Sequence, residues 1–273
     1  MTRTTVITGA SSGIGLAAAE QLATLGDDVV LVGRDEKRLA AAVERVTAAG
    51  QGREPAWFRA DFERLADVRQ LAERLLTAYP KIDVLANNAG ALVPRRRITE
   101  DGFEATIQGN HLAPFLLSEL LRDRLRGGRI VTTASDAHRG ARVGPESFTG
   151  PAGRYLGFPV YGASKAANVL FAAEAARRWP DITSVSFHPG VVRTNFGGGP
   201  LLKLAFRIAP WLRSPSAAGA DLVHLVTAPA AELVNGAYYY RGKPVRAAGN
   251  ATDPALAARL WDAGEVAIGL DAR

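Results

Sequence analysis

Tyr161 and Lys165 have a spacing that could support proton transfer. They lie in a run from Val160 to Trp179 whose alanines and leucines predict a helix that Pro180 ends. Because residues four apart share one face of a helix, the phenol and the ammonium should emerge side by side. A phenol with a pKa of about 10 exchanges protons poorly at neutral pH, but a nearby cation favours the phenolate. The pair therefore indicates an activated tyrosine, although the same spacing also occurs where a tyrosine merely packs on a lysine stem.

A glycine-rich stretch near the N-terminus could bind a phosphate group. The β-branched run Thr4 to Thr8 predicts a strand, and an alanine-rich helical run follows the glycines. Gly9 would permit a tight turn, Gly13 would let the backbone approach a pyrophosphate, and Gly15 would let the helix pack closely on the strand. The positive end of the helix would then face the anion. Taken alone, the stretch is equally typical of a plain turn.

The end of the second predicted strand offers a choice between two ribose chemistries. This strand covers Asp28 to Val32 and leads into Gly33, Arg34 and Asp35. At this place in a dinucleotide site, an acid binds the ribose 2′-hydroxyl, whereas an arginine accommodates a 2′-phosphate. Arg34 supplies the charge and Gly33 leaves room. Asp35 is either a ribose ligand or, as we expect, the N-cap of a helix over 36–49.

Strands alternate with helical segments along the chain. This alternation predicts one α/β domain over residues 1–273, with a doubly wound parallel sheet of about seven strands and helices on both faces. In such a sheet, ligands bind at the carboxyl ends of the strands, where the motifs described so far fall. The predicted strands are 4–8, 28–32, 56–59, 81–86, 129–133, 182–187 and 237–240.

Further polar residues lie near these strand ends. Asn110 stands among apolar residues inside a predicted helix over 100–126, where it is either a back-bonded side chain or a functional group. Ser135 follows the fifth predicted strand and so lies at a carboxyl end. His138 and His188 could be acid–base groups, but nothing in the neighbouring sequence orients them, and we interpret them as structural.

Two long segments are candidates for covering a ligand. Residues 136–159 are rich in glycine and proline, and their length predicts a functional flap rather than a plain connection. Residues 191–215 contain an apolar run with two cations, 201–209, between a glycine triplet and two prolines. We expect a hinged substrate lid at 191–215, with an amphipathic membrane-surface helix as the alternative.

The composition excludes several classes of protein. The 273 residues include no cysteine and four scattered histidines, so neither a disulfide framework nor a metal site is expected. The net charge is +6, but most arginines alternate with acids along helices, and Arg95-Arg96-Arg97 lacks interleaved aromatic residues, so we expect no nucleic-acid partner. The sequence has neither a signal segment nor an apolar run of about 18 residues. We therefore expect a cytoplasmic protein without stable membrane insertion.

The motifs occur together and in a particular order. They are Thr8 to Gly15, Asn87 to Gly90, Asn110, Ser135, Tyr161 with Lys165, and Pro189-Gly190. This set resembles the short-chain dehydrogenase/reductase family, which has a Rossmann fold, and it covers residues 1 to about 195. The neighbourhoods of Asn110 and Ser135 are similar to those of its retinol-dehydrogenase-like branch.

The resemblance implies a mechanism. Ser135 would hydrogen-bond the substrate carbonyl oxygen, and Tyr161 would donate its proton in reduction or accept it in oxidation. Lys165 would lower the pKa of the tyrosine and hold the nicotinamide ribose. Asn110 would carry a water molecule that relays the proton outward.

The resemblance also implies a nicotinamide cofactor. Arg34, with no acid at position 33, implies NADP rather than NAD. Many NADP-using relatives carry a basic residue in the glycine loop, where this chain has Ser12. The residues that match the cofactor positions of the family are Gly9, Ser11, Ser12, Gly13, Ile14, Gly15, Arg34, Asp61, Phe62, Asn88, Ala89, Gly90, Tyr161, Lys165, Pro189, Gly190, Val192 and Thr194.

The implied activity is hydride transfer between NADP(H) and a carbonyl or alcohol substrate. Because cells generally keep NADP reduced, we expect reduction of a bulky apolar aldehyde or ketone. One alternative is a tailoring ketoreductase of a polyketide-type natural product, and another is a catalytically silent NADP-binding regulatory or scaffold protein. Relatives often dimerise through the helices that bear Asn110 and Tyr161, so we expect a homo-dimer or homo-tetramer.

Overall fold

The computed structural model describes residues 2–151, 153–192 and 212–270. Within these residues, eight strands form one sheet in the order β3-β2-β1-β4-β5-β6-β7-β8. Neighbouring strands are parallel except for β7 and β8. The predicted doubly wound α/β fold is thereby confirmed. The strands are β1 (Thr4–Thr8), β2 (Asp28–Gly33), β3 (Ala56–Arg59), β4 (Val84–Asn87), β5 (Arg129–Thr133), β6 (Thr183–His188), β7 (Tyr238–Tyr240) and β8 (Lys243–Val245).

Helices cover both faces of the sheet. In the described part of the chain they are α1 (Gly13–Thr24), α2 (Glu36–Ala49), α3 (Leu65–Ala78), α4 (Ala105–Ile107), α5 (Ala113–Leu120), α6 (Gly157–Arg178), α7 (Pro215–Thr227) and α8 (Pro254–Ala267). A π-helical turn, Gln108–Leu112, joins α4 to α5. Short 3₁₀ turns lie at Arg122–Leu125, Asp136–His138, Pro145–Thr149, Ala230–Glu232 and Gly249–Thr252.

Alternating side chains of the central strands feed two hydrophobic cores. Val6 points to the face covered by α3, α5, α6 and α8, whereas its neighbour Ile7 points to the face covered by α1, α2 and α7. Both side chains are fully buried. Because each central strand is apolar on both faces, it forms a continuous apolar run, as parallel strands covered by two helix layers require.

The sheet has one strand more than the seven expected. β8 pairs antiparallel with β7 through the two-residue loop Arg241-Gly242, in which both residues have positive φ (51° and 72°). The three residues of β8 are exposed and include Pro244, so they carry no hydrophobic alternation. Without that pattern, nothing in residues 243–245 indicates a strand.

The helix expected over 100–126 is interrupted. It begins at Ala105, passes through the π-helical turn Gln108–Leu112 and ends as a 3₁₀ turn at Arg122–Leu125. The Asn110 side chain lies in the π-helical turn and hydrogen-bonds the backbone of Ala91 on another loop. Such a single wide turn inside an α-helix is frequent at functional sites.

The flap expected at 136–159 is largely packed onto the protein. It contains two 3₁₀ turns, and Val143 and Phe148 are buried in the core. Its last residues belong to α6, which starts at Gly157 with Pro159 in its first turn, where a missing N–H costs nothing. Glycines and prolines in this segment therefore shape tight turns.

The C-terminal helix α8 covers the outer face of α5 and α6. The Trp261 ring lies 4.8 Å from Phe115, 5.6 Å from Phe171 and 4.9 Å from Trp179 between ring centroids. A Cβ on Gly264 would lie 2.6 Å from the Phe115 ring, so the glycine permits this close approach. Among the described helices, none is long and apolar enough to cross a membrane.

Removing the Trp261 ring should reveal how strongly α8 is held. We expect Trp261→Ala to lower the free energy of unfolding by about 3–5 kcal/mol, because it leaves a cavity among three aromatic rings. Urea unfolding measures the difference. Val266→Ala on the same helix is the matched control: Val266 is 77% exposed, and its loss should change stability by less than about 0.5 kcal/mol. Similar small losses in both variants would mean that α8 is not part of the core.

Candidate active site

Helix α6 places Tyr161 and Lys165 on one buried face. Both side chains are buried, and the Lys165 Nζ atom lies 5.5 Å from the centroid of the Tyr161 ring. Nζ donates a hydrogen bond of 2.9 Å to the carbonyl oxygen of Thr133, the last residue of β5. Asn168 donates to the same oxygen at 3.2 Å. The tip of β5 thus fixes the ammonium, which the sequence motif alone did not reveal.

Ser135 meets Tyr161 directly. A hydrogen bond joins its hydroxyl to the Tyr161 phenol and acts to lower the pKa of that phenol. The serine lies two residues beyond β5 and caps the turn Asp136–His138, accepting from the N–H of Ala137 at 3.2 Å. A Cβ on Gly162 would lie 2.6 Å from the Ala137 carbonyl oxygen, so a glycine beside Tyr161 lets α6 approach this turn. The two hydroxyls can therefore contact one substrate oxygen.

His138 fixes the turn Asp136–His138, which we call the serine turn because Ser135 caps it. Its Nδ1 donates to the Ser135 carbonyl oxygen at 2.7 Å, and its Nε2 accepts from the N–H of Ala248 at 3.1 Å. These two partners fix the neutral tautomer, and burial lowers the pKa of His138 further. The structural interpretation fits His138, but the expectation that nothing orients it was wrong, because its ring binds the Ser135 carbonyl three residues away and the N–H of Ala248, which is distant in sequence.

His188 lies on the other side of the serine turn. Its Nε2 atom is 3.8 Å from the Asp136 carboxylate, and its ring stacks on Tyr240 at 5.4 Å between centroids. Burial lowers the pKa of His188. Asp136 also accepts a hydrogen bond of 3.0 Å from the Tyr238 hydroxyl. These contacts join the serine turn to β6 and β7.

Asn110 fastens the loop after β4 to α6. Its amide oxygen accepts from the Ala91 N–H at 2.8 Å, and its amide nitrogen donates to the Ala91 carbonyl at 2.9 Å and to the Ser164 hydroxyl at 3.0 Å. A Cβ on Gly90 would lie 3.2 Å from the Asn110 amide oxygen and 3.3 Å from Lys165 Nζ. The Asn110 side chain thus positions the loop after β4 against α6. Its role in carrying a water molecule that relays a proton stays a prediction.

Burial shifts the proton equilibria of both central residues. It raises the pKa of Tyr161 to about 12, although the hydrogen bond from Ser135 acts in the opposite direction. Burial also lowers the pKa of Lys165 to about 8. In this structure desolvation therefore outweighs the expected lowering of the tyrosine pKa by Lys165. A neutral phenol beside a mostly protonated lysine at neutral pH suits a proton donor.

Thr8 interlocks the glycine loop with the loop after β4. Its hydroxyl oxygen accepts from the N–H groups of Asn88 and Ala89 at 3.0 Å each, and its carbonyl accepts from the Asn88 side chain at 2.9 Å. A Cβ on Gly15 would lie 2.6 Å from both Asn88 Nδ2 and the Gly9 carbonyl oxygen. Thr8 carries no cofactor role in the sequence-based interpretation, although a hydroxyl residue at the end of a strand was a usable signal.

The start of α1 fits a phosphate. Gly9 and Gly13 have positive φ (68° and 59°), and the Ser12 side chain does not cap the helix. The first turn contains no acidic residue. Its N–H groups can therefore serve an anionic ligand, as the positive end of a helix favours. Ser11 lies beside this loop, with its hydroxyl 3.2 Å from where a Cβ on Gly33 would be.

Asp35 has the expected capping role, whereas the role of Arg34 at a ribose phosphate stays a prediction. Asp35 caps α2 by accepting from the Arg38 N–H at 3.0 Å, which confirms the capping interpretation. The Arg34 side chain is 65% exposed and lies 3.6 Å from Glu63. Glu63 also pairs with Arg97. Arg34 can therefore turn towards a ligand without leaving Glu63 alone.

The remaining predicted cofactor residues lie at two strand ends. Asp61 shapes the turn after β3 by accepting from the Glu63 N–H at 3.0 Å, and the Phe62 side chain is buried in the core, so Phe62 can offer only its backbone to a ligand. Pro189 and Gly190 form the turn after β6, where Gly190 has φ +84°.

The predicted lid can be compared with the structure only at its ends. Thr194 and most of the segment 191–215 lie outside the described residues. At its near end, Val192 pairs with Arg213 in an isolated β-bridge. At its far end, Pro215 is already the first residue of α7, which Ser214 caps by accepting from the Ala217 N–H at 3.1 Å.

The fold and the convergent Ser135, Tyr161 and Lys165 side chains are those of a Rossmann-type oxidoreductase. The family model "short chain dehydrogenase" matches residues 3–199, and the chain belongs to this family. A protein of Streptomyces sp. (strain C5) named "Putative daunorubicin C-13 ketoreductase DnrU" is 52% identical over 272 residues, covering 99% of this chain and 94% of the relative. Human retinol dehydrogenase 14 is 34% identical over 98% of this chain and 87% of the relative, which confirms the predicted branch.

Solved structures agree with this assignment. A protein from Mycobacterium paratuberculosis superposes with a TM-score of 0.81 at 30% identity, covering 98% of this chain and 93% of that chain. A short chain dehydrogenase from Burkholderia cenocepacia J2315 in complex with NADP superposes with a TM-score of 0.69 at 28% identity, covering 86% and 94%.

The buried Lys165 ammonium should reduce stability at neutral pH. The ordinary lysine pKa is 10.5, and burial lowers it to about 8 in the folded protein. Between these values the unfolded state binds more protons than the folded state, so the free energy of unfolding rises with pH in this window. We expect Lys165→Met to raise the free energy of unfolding by about 1–3 kcal/mol at pH 7, with a gain that shrinks towards pH 10.

Urea unfolding of both proteins between pH 6 and 10 measures this effect. The Thr133 carbonyl keeps its bond from Asn168 in the variant, so no buried acceptor is left without a partner. Lys81→Met is the control, because Lys81 is exposed and pairs with Asp83; its small effect should not follow the same pH profile. A Lys165→Met variant that is less stable than the wild type at every pH contradicts the argument.

Proposed function

We propose that this protein is an NADPH-dependent ketoreductase that acts on a bulky, largely apolar ketone of a polyketide-type natural product. The observation that carries the proposal is the hydrogen bond between the Ser135 and Tyr161 hydroxyls, with Lys165 buried beside them. This arrangement offers one carbonyl oxygen two donors in a site shielded from water. The alternative substrate class, a bulky apolar aldehyde, would be reduced by the same chemistry.

The residues of the site divide the reaction among them. The substrate carbonyl oxygen would accept hydrogen bonds from Ser135 and Tyr161, which orient it and withdraw charge from its carbon. NADPH supplies the hydride when bound. As the carbonyl becomes an alkoxide, Tyr161 would transfer its phenolic proton to that oxygen, and the positive charge of Lys165 would stabilise the resulting phenolate. The product is the alcohol, and the tyrosine then recovers its proton from solvent.

Several features support NADP as the cofactor. The glycine loop and the uncapped start of α1 suit the pyrophosphate, and exposed Arg34 beside Gly33 suits a 2′-phosphate. The relative from Burkholderia cenocepacia was solved with NADP. Glu63, at 3.6 Å from Arg34, keeps Arg97 as a partner when Arg34 turns to the phosphate. The proposed partners, cofactor and substrate, are both small molecules. We also propose that the protein is cytoplasmic.

An apolar rim beside Tyr161 supports a bulky substrate. We use this term for Leu156 and Phe158, which are 50% and 64% exposed although both are large and hydrophobic. The Phe158 ring lies 6.3 Å from the Tyr161 ring between centroids, one helical turn before it on α6. Large apolar side chains that stay exposed next to a reacting group are suited to covering apolar substrate surface.

The tailoring role is supported by the relative from Streptomyces. The name of that relative, daunorubicin C-13 ketoreductase, describes reduction of one ketone of daunorubicin, and the relative matches this chain over nearly the whole length. A catalytically silent scaffold protein would not need the Ser135, Tyr161 and Lys165 contacts to be maintained. The two classes differ in turnover, which the following experiment measures.

Replacement of the Tyr161 hydroxyl should abolish turnover. We expect wild-type protein to consume NADPH with bulky aromatic or polycyclic ketones, and Tyr161→Phe to be at least about 100-fold slower, because the proton donor is lost. NADPH absorbance follows the rate, and quenching of protein fluorescence checks that the variant still binds the cofactor. If wild type and variant are equally inert with ketones, aldehydes and the corresponding alcohols plus NADP, the enzymatic proposal fails.

Truncation of Phe158 should affect large substrates selectively. We expect Phe158→Ala to raise KM for an aryl or polycyclic ketone about tenfold, because a stacked aromatic contact of about 1–1.5 kcal/mol is lost, and to leave KM for a small aliphatic ketone unchanged. Steady-state kinetics with both ketones measures the difference. Trp57→Ala is the control, since Trp57 is an exposed aromatic residue on β3. Equal changes in KM with both ketones would show that the apolar rim is not part of the substrate site.

A further inference from the structure

Arg213 binds the backbone turn that follows β6. Its Nη1 atom donates a hydrogen bond of 2.7 Å to the carbonyl oxygen of Pro189, and its own N–H donates to the Val191 carbonyl at 2.9 Å. One residue thereby holds the backbone on both sides of Gly190. The turn is the place where the family resemblance puts the carboxamide end of the nicotinamide cofactor.

A second set of contacts fixes the guanidinium itself. Asp221 on α7 binds both terminal nitrogens of Arg213, with Nη2 at 3.2 Å from its Oδ1 atom. Nη2 also donates to the Ala217 carbonyl at 2.8 Å. The two side chains are only 18% and 14% exposed. A bidentate ion pair that is mostly buried holds one geometry. An exposed ion pair, by contrast, adds little to stability.

Gly190 and Arg213 fit each other closely. The glycine has φ +84°, and a Cβ added to it would lie 2.5 Å from the Arg213 Cδ atom. The methylene groups of the arginine thus fill the space where a side chain would be. Both the charged end and the apolar stem of Arg213 therefore define the shape of the turn.

We propose that Arg213 is a positioning residue that fixes the Pro189-Gly190-Val191 turn, and with it the nicotinamide end of the bound cofactor. The inference rests on the proposed function, because it presupposes a nicotinamide cofactor. The adenosine end is held separately by the glycine loop and Arg34. Loss of Arg213 should therefore weaken binding of the whole dinucleotide and leave binding of its adenosine half unchanged.

Two ligands and three variants test this separation. NADPH contains both halves of the cofactor, whereas 2′,5′-ADP contains only the adenosine half with its 2′-phosphate. We expect Arg213→Met to raise the Kd of NADPH about tenfold and to change the Kd of 2′,5′-ADP less than about twofold. Arg213→Lys should give a smaller loss for NADPH, because it keeps a cation for Asp221. Some loss should remain, because one ammonium cannot serve Pro189 and Asp221 in the same forked geometry. Fluorescence titration and calorimetry give the two constants.

Arg129→Met is the matched control. Arg129 also donates to a backbone carbonyl of α7, that of Leu225 at 2.7 Å, but it does not touch the turn after β6. We expect this variant to bind both ligands as the wild type does. If Arg213→Met does not fold, Asp221→Asn keeps the arginine and removes the charge that orients it, and it should raise the Kd of NADPH alone.

The outcomes separate the inference from the proposed function. If the Arg213 and Asp221 variants bind NADPH as tightly as the wild type, the positioning role is wrong. Equal weakening of NADPH and 2′,5′-ADP also overturns it, because the arginine would then support the fold of α7 as a whole. If the wild type binds neither ligand, the proposed NADPH-dependent function fails instead.

Discussion

The buried Lys165 ammonium determines the electrostatic environment of the active site. Among the described residues, Lys165 has no carboxylate partner, and its ammonium is stabilised by the Thr133 carbonyl at 2.9 Å. Burial lowers the pKa of Lys165 to about 8, and its Nζ atom lies 5.5 Å from the centroid of the Tyr161 ring, where little water screens the charge. The large core on both faces of the sheet supplies the stability that this desolvation removes. Such local costs are typical of sites that must act on a substrate.

Close contacts at glycine assemble the rest of the site. Gly15 brings α1 against Asn88, Gly162 brings α6 against the serine turn, and Gly90 passes between Asn110 and Lys165. At these three positions the absence of a side chain matters more than backbone freedom, because a Cβ would lie 2.6–3.3 Å from its neighbour. Elements from distant parts of the chain can therefore pack closely around the site.

Much of the architecture could be predicted from local patterns. Apolar runs with turn residues between them identified seven of the eight strands, and a short acid before a helical run identified Asp35 as a cap. The π-helical turn at Gln108–Leu112 could not be predicted, and the Asn110 side chain within it has its partner Ala91 on a separate loop. The tyrosine pKa was expected to fall, and burial raises it instead, because the extent of desolvation is a property of the packed core.

The sequence by itself determined which chemical groups are present and that they lie at the carboxyl ends of parallel strands. Helical spacing placed Tyr161 beside Lys165, and strand periodicity placed Ser135 at the tip of β5. Only the tertiary structure decided that the serine hydroxyl reaches the phenol, that Thr8 locks two loops together and that α8 covers α5 and α6. These contacts join residues far apart in the chain, and their distances depend on packing that local spacing does not encode.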